Sequence, residues 1–269
     1  MIRKGADNLS KSKRRVKSKL LKHHILLSSR KLARHLPAIR PYSRRALLQM
    51  LHHYRMVYVK PDNGSMGVGV IRVDVHKGYY TYHQGVRPVK CSSFRTLTAR
   101  LRTIIGHKRY LIQKGIHVLR HKGRPYDFRV MIQRRPDRIW EPTGIAGRVA
   151  HPRKAVTNGS QGGTIYDPIR LLRRPAGKHG ARKLLRRMDR MALLTSAKMA
   201  KRYPFMNELG LDIAVDHRLK PWILEVNTRP DPCPFTLLPD QSLIKRIVAY
   251  GRAYGRNYPL NCGKARSAR

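Results

Sequence analysis

The stretch Tyr58-Val59-Lys60-Pro61-Asp62-Asn63-Gly64-Ser65-Met66-Gly67-Val68-Gly69-Val70-Ile71 limits what this chain can fold into more than any other. Tyr58–Lys60 reads as the end of a strand, and Val68–Val75 as the strand that follows the turn. Gly64, Gly67 and Gly69 let the backbone between them come close to a ligand and turn several N–H groups towards phosphate oxygens. A Walker A loop would end in Gly-Lys-Ser/Thr and open a helix, and this loop does neither. A protein-kinase loop carries its lysine after the glycines, on a later strand. Here Lys60 comes first. An ordinary hairpin accounts for the glycines alone, but not for a Lys-Pro step ahead of them.

The acidic residues are the second constraint, because the chain has only 14 of them against 59 Lys and Arg, a formal net charge of +45. Carboxylates this scarce are expected on solvated faces, where they aid solubility. Asp127, Asp212 and Glu225 fall instead inside strands that are otherwise apolar, Tyr126–Gln133, Leu211–Asp216 and Trp222–Val226. Asn227 follows Glu225 by two positions, so the two side chains leave the same face of a strand. An Asp, a Glu and an Asn on one surface form an oxygen-rich set suited to Mg²⁺. Pairing of the same carboxylates with arginines remains open at this point.

The surrounding pattern alternates strands and helices in an α+β order with mostly antiparallel pairing. Strands are expected at Met56–Lys60, Tyr79–Tyr82, Tyr110–Gln113 and Ile139–Val149. Helices are expected at Ser43–His53, Ser93–Ile105, Gly180–Tyr203 and Leu243–Tyr254. Residues 1–45 hold fifteen Lys or Arg and a single acid, Asp7, over a patchy helical period, which reads as a basic N-terminal arm. A core domain of residues 46–255 then divides into a small lobe at 56–113 and a large lobe at 114–255, followed by a basic tail at 256–269. Cys91, Cys233 and Cys262 fit no zinc spacing and suggest free thiols in a reducing compartment rather than a disulfide. With no apolar run of spanning length, the expectation is a soluble, cytoplasmic protein. A field this positive attracts polyanions, and so constrains the partner rather than the fold.

Taken in order, His35-Leu36-Pro37, Tyr58–Pro61, Gly64–Gly69, Tyr126-Asp127-Phe128-Arg129-Val130, Thr157-Asn158 with Gly162-Gly163, Gly210-Leu211-Asp212-Ile213 and Ile223–Pro230 resemble the ATP-grasp superfamily. Within it they are similar to the YheC/YheD endospore coat-associated family, over most of the chain. The resemblance implies two α+β lobes gripping Mg-ATP and a carboxylate–amine ligase working through an acyl phosphate, with spore association as a further implication. It implies that Lys60 contacts the phosphates and that Gly64, Ser65, Met66, Gly67 and Gly69 fold over them. Gln113, Lys114, Gly115 and Ile116 become the hinge that reads adenine, and Asp127 belongs to the nucleotide-binding set. Asp212, Glu225 and Asn227 hold the metal, while Arg129, Arg148 and Arg229 steady the transferred phosphoryl group.

In such proteins a second phosphate-contacting lysine is expected upstream of Lys60, and Lys19, Lys22 and Lys31 are all candidates. The expected partners are an anionic carboxylate substrate, an amine acceptor and, through the basic arm, nucleic acid or another polyanion. A polyanion-binding protein with a non-catalytic ATP-grasp core and a structural spore component are the competing readings.

Overall fold

A computed structural model describes residues 16–64, 67–85, 87–151, 163–260, 262 and 266–268. The elements run α1 (Lys19–Leu27), α2 (Arg30–Ala33), β1 (Ile39–Pro41), α3 (Arg44–Tyr54), β2 (Met56–Pro61), β3 (Ile71–Val75), β4 (Tyr80–His83) and β5 (Pro88–Cys91). Next come α4 (Phe94–Ile105), β6 (Tyr110–Lys114), β7 (Arg120–His121), β8 (Arg124–Arg134), β9 (Trp140–Val149) and β10 (Thr164–Tyr166). The chain closes with α5 (Pro168–Arg202), β11 (Glu208–Val215), β12 (Pro221–Asn227), α6 (Cys233–Thr236), α7 (Ser242–Ala253) and β13 (Arg266–Ser267).

Two sheets carry two lobes. The small-lobe sheet is ordered β1-β6-β2-β3-β4-β5, and α3 and α4 cover it through Leu47, Leu51, Leu97 and Leu101, all essentially buried. Serines start both helices: the side chains of Ser43 and Ser93 accept from Ala46 N and Thr96 N, which satisfies donors the first turn leaves open. The large-lobe sheet is ordered β12-β11-β8-β9-β10-β13, with β7 paired to β8. Every pairing in the two sheets is antiparallel except β10 with β13.

Alternation along the central strands sets the two faces of the large sheet. On β8, Tyr126, Phe128, Val130 and Ile132 enter the main core with Leu209, Leu211 and Ile213 of β11, beneath α5. The intervening positions face the other way. There Met131 lies under α6 and α7 with Phe235, Leu238 and Ile247, while Asp127 and Arg129 occupy the end of the same face nearest the small lobe.

Three features depart from the sequence expectation. From Val16 onwards the basic stretch is built into the body: Leu26, Leu32 and Leu36 are buried in the main core, and β1 pairs with β6. The face that α1 buries carries Lys19, Lys22 and His23 besides Leu26, whereas Leu21 and Leu27 are exposed. Helix α5 begins at Pro168 rather than near Gly180, capped by the Asp167 side chain, and runs through Pro175 with a break at Gly177, where φ is 68°. Finally, Cys233 and Cys262 form a disulfide, against the expectation of free thiols, while Cys91 is a buried free thiol. The C-terminal segment returns over α6 and brings the two Cα atoms to 5.5 Å, a separation that a bridge spans. Spacing alone does not reveal that return path.

Candidate active site

A cavity between the lobes is lined from the small lobe by Tyr58, Lys60, Gly64, Gly67, Val68 and Val70. Gln113, Lys114 and Ile116 line it at the junction, and Asp127, Asp212, Ala214, Leu224 and Glu225 from the large lobe. Tyr58 and Gln113 are direct neighbours across β2 and β6, which places the loop lysine two positions along the strand from the junction. The loop turns on left-handed backbone at Gly67 and Gly69, with φ of 70° and 75°. A Cβ on Gly69 would also lie 2.8 Å from the Tyr110 hydroxyl, so neither the backbone nor the space admits a side chain there. Ser65 and Met66 of this loop lie outside the described residues, as do Thr157, Asn158 and Gly162.

Lys60 is buried, and among the described residues its ammonium hydrogen-bonds the Leu224 carbonyl alone, at 3.4 Å. Burial, reinforced by the nearby charge of Lys19, pushes its pKa down to about 8 in spite of Glu225, Asp212 and Asp62. Lys19 stands beside it: Nζ donates to the Gly64 carbonyl at 2.9 Å and lies 3.6 Å from Glu225 Oε1. Of the three candidate upstream lysines, Lys19 lines the cavity. Lys22 donates to the Val226 carbonyl at 2.6 Å and lines an adjoining recess, and Lys31 is exposed.

What brings Lys19 there is Asp62, a residue with no role in the sequence reading. Its Oδ1 accepts from Ser18 Oγ at 3.0 Å and from Leu20 N at 2.9 Å, and its carbonyl accepts from Lys19 N at 3.1 Å. The first turn of α1 is thereby clasped to the start of the glycine loop. A carboxylate next to open N–H groups also suits the positive end of a helix.

On the large lobe, strand register gathers the polar set. Arg148 of β9 lies opposite Asp127 of β8, Arg129 of β8 opposite Asp212 of β11, and Asp212 opposite Glu225 of β12. Arg148 grips Asp127 with two bonds of 2.7 and 2.8 Å and reaches Asp212 Oδ1 at 3.1 Å, while Arg129 Nε donates to the same oxygen at 2.7 Å. Despite burial, these arginines hold the Asp212 carboxyl below the usual carboxylate range. Asn227 Nδ2 lies 3.4 Å from Asp212 Oδ2, so Asp212, Glu225 and Asn227 do converge. Gly210 keeps room for this cluster, since a Cβ there would press on Pro230 and on the Arg129 side chain at 3.3 Å.

The arginines themselves sit differently from one another. Arg129 and Arg148 lie behind the carboxylates, buried and paired, and do not line the cavity. Arg229 is exposed and lines the adjoining recess with Lys22, Glu225 and Asn227. At the junction, Gln113 Nε2 donates to the Leu224 carbonyl at 3.3 Å, and the backbone N–H groups of Lys114 and Gly115 are taken by Ala38 and Met56 carbonyls. The N–H of Ile116 has no hydrogen-bond partner among the described residues, and Ile116 lines the cavity. Lys114 Nζ stands 5.1 Å from the ring centres of both Tyr54 and Trp222.

Two largely antiparallel lobes around a cavity lined by lysines and carboxylates define an ATP-grasp fold. The structure is similar to the N5-carboxyaminoimidazole synthase of Aspergillus clavatus in complex with ADP and 5-aminoimidazole ribonucleotide, with a TM-score of 0.55 at 10% identity over 94% of this chain and 54% of that one. It is also similar to the Staphylococcus aureus N5-carboxyaminoimidazole synthetase complexed with ADP, with a TM-score of 0.50 at 10% identity over 91% and 52% of the two chains. The chain belongs to the YheC/D-like ATP-grasp family, whose model matches residues 10–256. It is 26% identical over 183 residues to the endospore coat-associated protein YheD of Bacillus subtilis (strain 168), covering 66% of this chain and spanning 40% of that relative's length. Among the described residues no helix is long and apolar enough to cross a membrane.

Proposed function

We propose that the protein is an ATP-dependent carboxylate–amine ligase, activating a carboxylate as an acyl phosphate for attack by an amine. The observation that carries this reading is the pair of buried ammonium groups, Lys60 and Lys19, lining one cavity together with Asp212 and Glu225. A buried cation without a carboxylate of its own is costly, and a phosphate chain supplies the missing counter-charge. Lys60 has this character, since no carboxylate pairs with it among the described residues.

The cavity also fits the rest of a nucleotide. Val68, Val70, Val118, Ala214 and Leu224 give apolar walls for a base, and the open N–H of Ile116 gives it a hydrogen-bond donor. For Mg²⁺ the donors are Asp212, Glu225 and the Asn227 side-chain oxygen, and among the described residues no larger group of His, Cys, Asp or Glu gathers. Two carboxylates and an amide fit an ion that completes its shell with phosphate oxygens and water. When bound, magnesium neutralises charge on the phosphates. Arg129 and Arg148 act as positioning residues that hold Asp212 ionised and aimed, and exposed Arg229 meets the transferred phosphoryl group or the acyl phosphate. The excess of cations around the recess favours an anionic carboxylate substrate, and the spore-coat relative suggests a spore-associated setting.

The decisive assay is phosphate release from Mg-ATP in the presence of pooled acidic peptides and amino acids, with ADP binding measured by calorimetry. The expected outcome is carboxylate-dependent release that falls about 100- to 1000-fold in Glu225→Gln, as for loss of one preorganised electrostatic group, with metal-free ADP binding retained. A folded protein that shows no heat of nucleotide binding defeats the reading outright. Nucleotide binding with no carboxylate able to stimulate turnover would leave a non-catalytic ATP-grasp core.

A further inference from the structure

Helix α5 beyond its break at Gly177 carries a surface that the interlobe cavity does not use. Its buried side, Ala181, Leu184, Met188, Met191, Ala192 and Thr195, packs on the large sheet. The outward side presents Lys178, Arg182, Lys183, Arg186, Arg187 and Arg190, all exposed. At 3.6 residues per turn these six fall within about half of the helix circumference, opposite the buried side, with successive members of a row roughly 6 Å apart. Among the described residues none of the six forms an ion pair, and Arg187 makes one hydrogen bond, to His35 at 3.3 Å. Asp189 is the only acid of this helix, and it is half-buried.

The surface extends at both ends. His35 is held below its usual range by burial and, among its neighbours, by Arg187, Lys220 and Arg34. At the other end His121 is lowered by burial and by Lys122, Arg124, Arg170 and Arg174. Cations from α2, the β7–β8 hairpin and the β11–β12 turn therefore border the helix. Such an array repels itself, and packing of the opposite face is what holds it in place.

We infer that the outer face of α5 is a binding surface for duplex nucleic acid, recognised through its phosphate backbone and without regard to sequence. Three observations choose this partner. Arginine predominates over lysine on the face, and the planar guanidinium fork matches phosphate oxygens in pairs. Residues 173–190 contain no Asn, Gln, Ser or Thr, the neutral hydrogen-bonding side chains that commonly read base edges. The same span holds no Phe, Tyr or Trp, so it offers none of the stacking platforms by which single strands are gripped. The surface lies on α5 and its borders, apart from the cavity residues, and stands or falls independently of the ligase reading.

The test is fluorescence anisotropy of the full chain with two labelled duplexes of about 20 base pairs and unrelated sequence, across a salt titration. With about six cations engaged, log K against log salt should have a slope near roughly −5 for both duplexes. Arg182→Gln, Arg186→Gln and Arg190→Gln together should weaken binding about tenfold or more near 150 mM salt and lower the slope by roughly three. Because the whole protein is strongly cationic, a charge-matched control decides the matter. Arg95→Gln, Arg100→Gln and Arg102→Gln on exposed positions of α4 remove the same charge and should change affinity by less than about threefold, a long-range contribution only. If the α5 triple variant melts early, Lys178→Gln with Lys183→Gln replaces it, with a slope change of roughly two. Equal losses from the α4 and α5 variants, or poly-glutamate competing as well as duplex, would overturn the inference.

Discussion

The two lobes treat buried positive charge in opposite ways. In the large lobe Arg148 is sealed into the sheet, yet Asp127 and Asp212 hold its pKa above the ordinary arginine value, against the cost of burial. In the small lobe Lys60 is also buried, but among the described residues its one hydrogen-bond partner is a carbonyl at 3.4 Å, and its pKa falls to about 8. The first arrangement is complete in itself. The second lacks a counter-charge, which the proposed nucleotide would supply. Site and scaffold can therefore be told apart by what each charge lacks, even though both lie within one cleft.

The sharpest way to break this contrast is to remove one half of the completed network. Asp212→Ala leaves Arg129 and Arg148 buried with a shared partner gone, and should cost about 3–5 kcal/mol of folding stability, read as a lower urea midpoint. A loss below about 1 kcal/mol would mean that Asp127 alone satisfies both arginines. Lys60→Met should do the reverse. Stability should hold or rise, since a desolvated ammonium has been replaced by an apolar chain of similar length, while ADP affinity falls roughly 30-fold or more, about 2 kcal/mol. If Lys60→Met destabilises the fold and spares ADP binding, Lys60 belongs to the scaffold.

The smallest effect concerns protons. On the proposed reading, a phosphate beside Lys60 would raise its pKa above the value of about 8 in the free protein. Below that value both free and bound forms carry the proton, and affinity should be flat with pH. Above it only the bound form keeps the proton, so affinity should fall by up to about tenfold per pH unit until the bound-state pKa is reached. Calorimetry near pH 8 in buffers of different ionisation enthalpy should detect proton uptake on ADP binding, and Lys60→Met should abolish it.

Much of the site was legible because it rests on local periodicity. Two-residue alternation put Glu225 and Asn227 on one face, and the register of β11 with β12 sets Asp212, already grouped with them in the sequence, opposite Glu225. The Lys-Pro-glycine stretch likewise forms the turn between β2 and β3 that its sequence implies, although its second strand starts at Ile71 rather than Val68. What escaped depends on tertiary docking. Helix α1 hides Lys19, Lys22 and His23 and exposes Leu21 and Leu27, so a search for apolar spacing finds only a patchy period there. Asp62 gains its role only when that helix meets the loop. The start of α5 did leave a signal, Asp167 followed by Pro168, but Pro175 and Gly177 mimic a helix end, and only a break with continued packing separates the two cases.

The docking of α1 also bears on motion. One end of its first turn is fastened to the loop of the small lobe through Asp62, while one turn on Lys22 is bonded to the Val226 carbonyl of the large lobe. A short rigid rod pinned to both jaws sets a limit on their gape. Wide opening must break either the Asp62 clasp or the Lys22 bond, so on the proposed reading nucleotide release would be coupled to loosening of α1. Exchange of the amide hydrogens in the first turn of α1 should then report directly on how often the cleft opens.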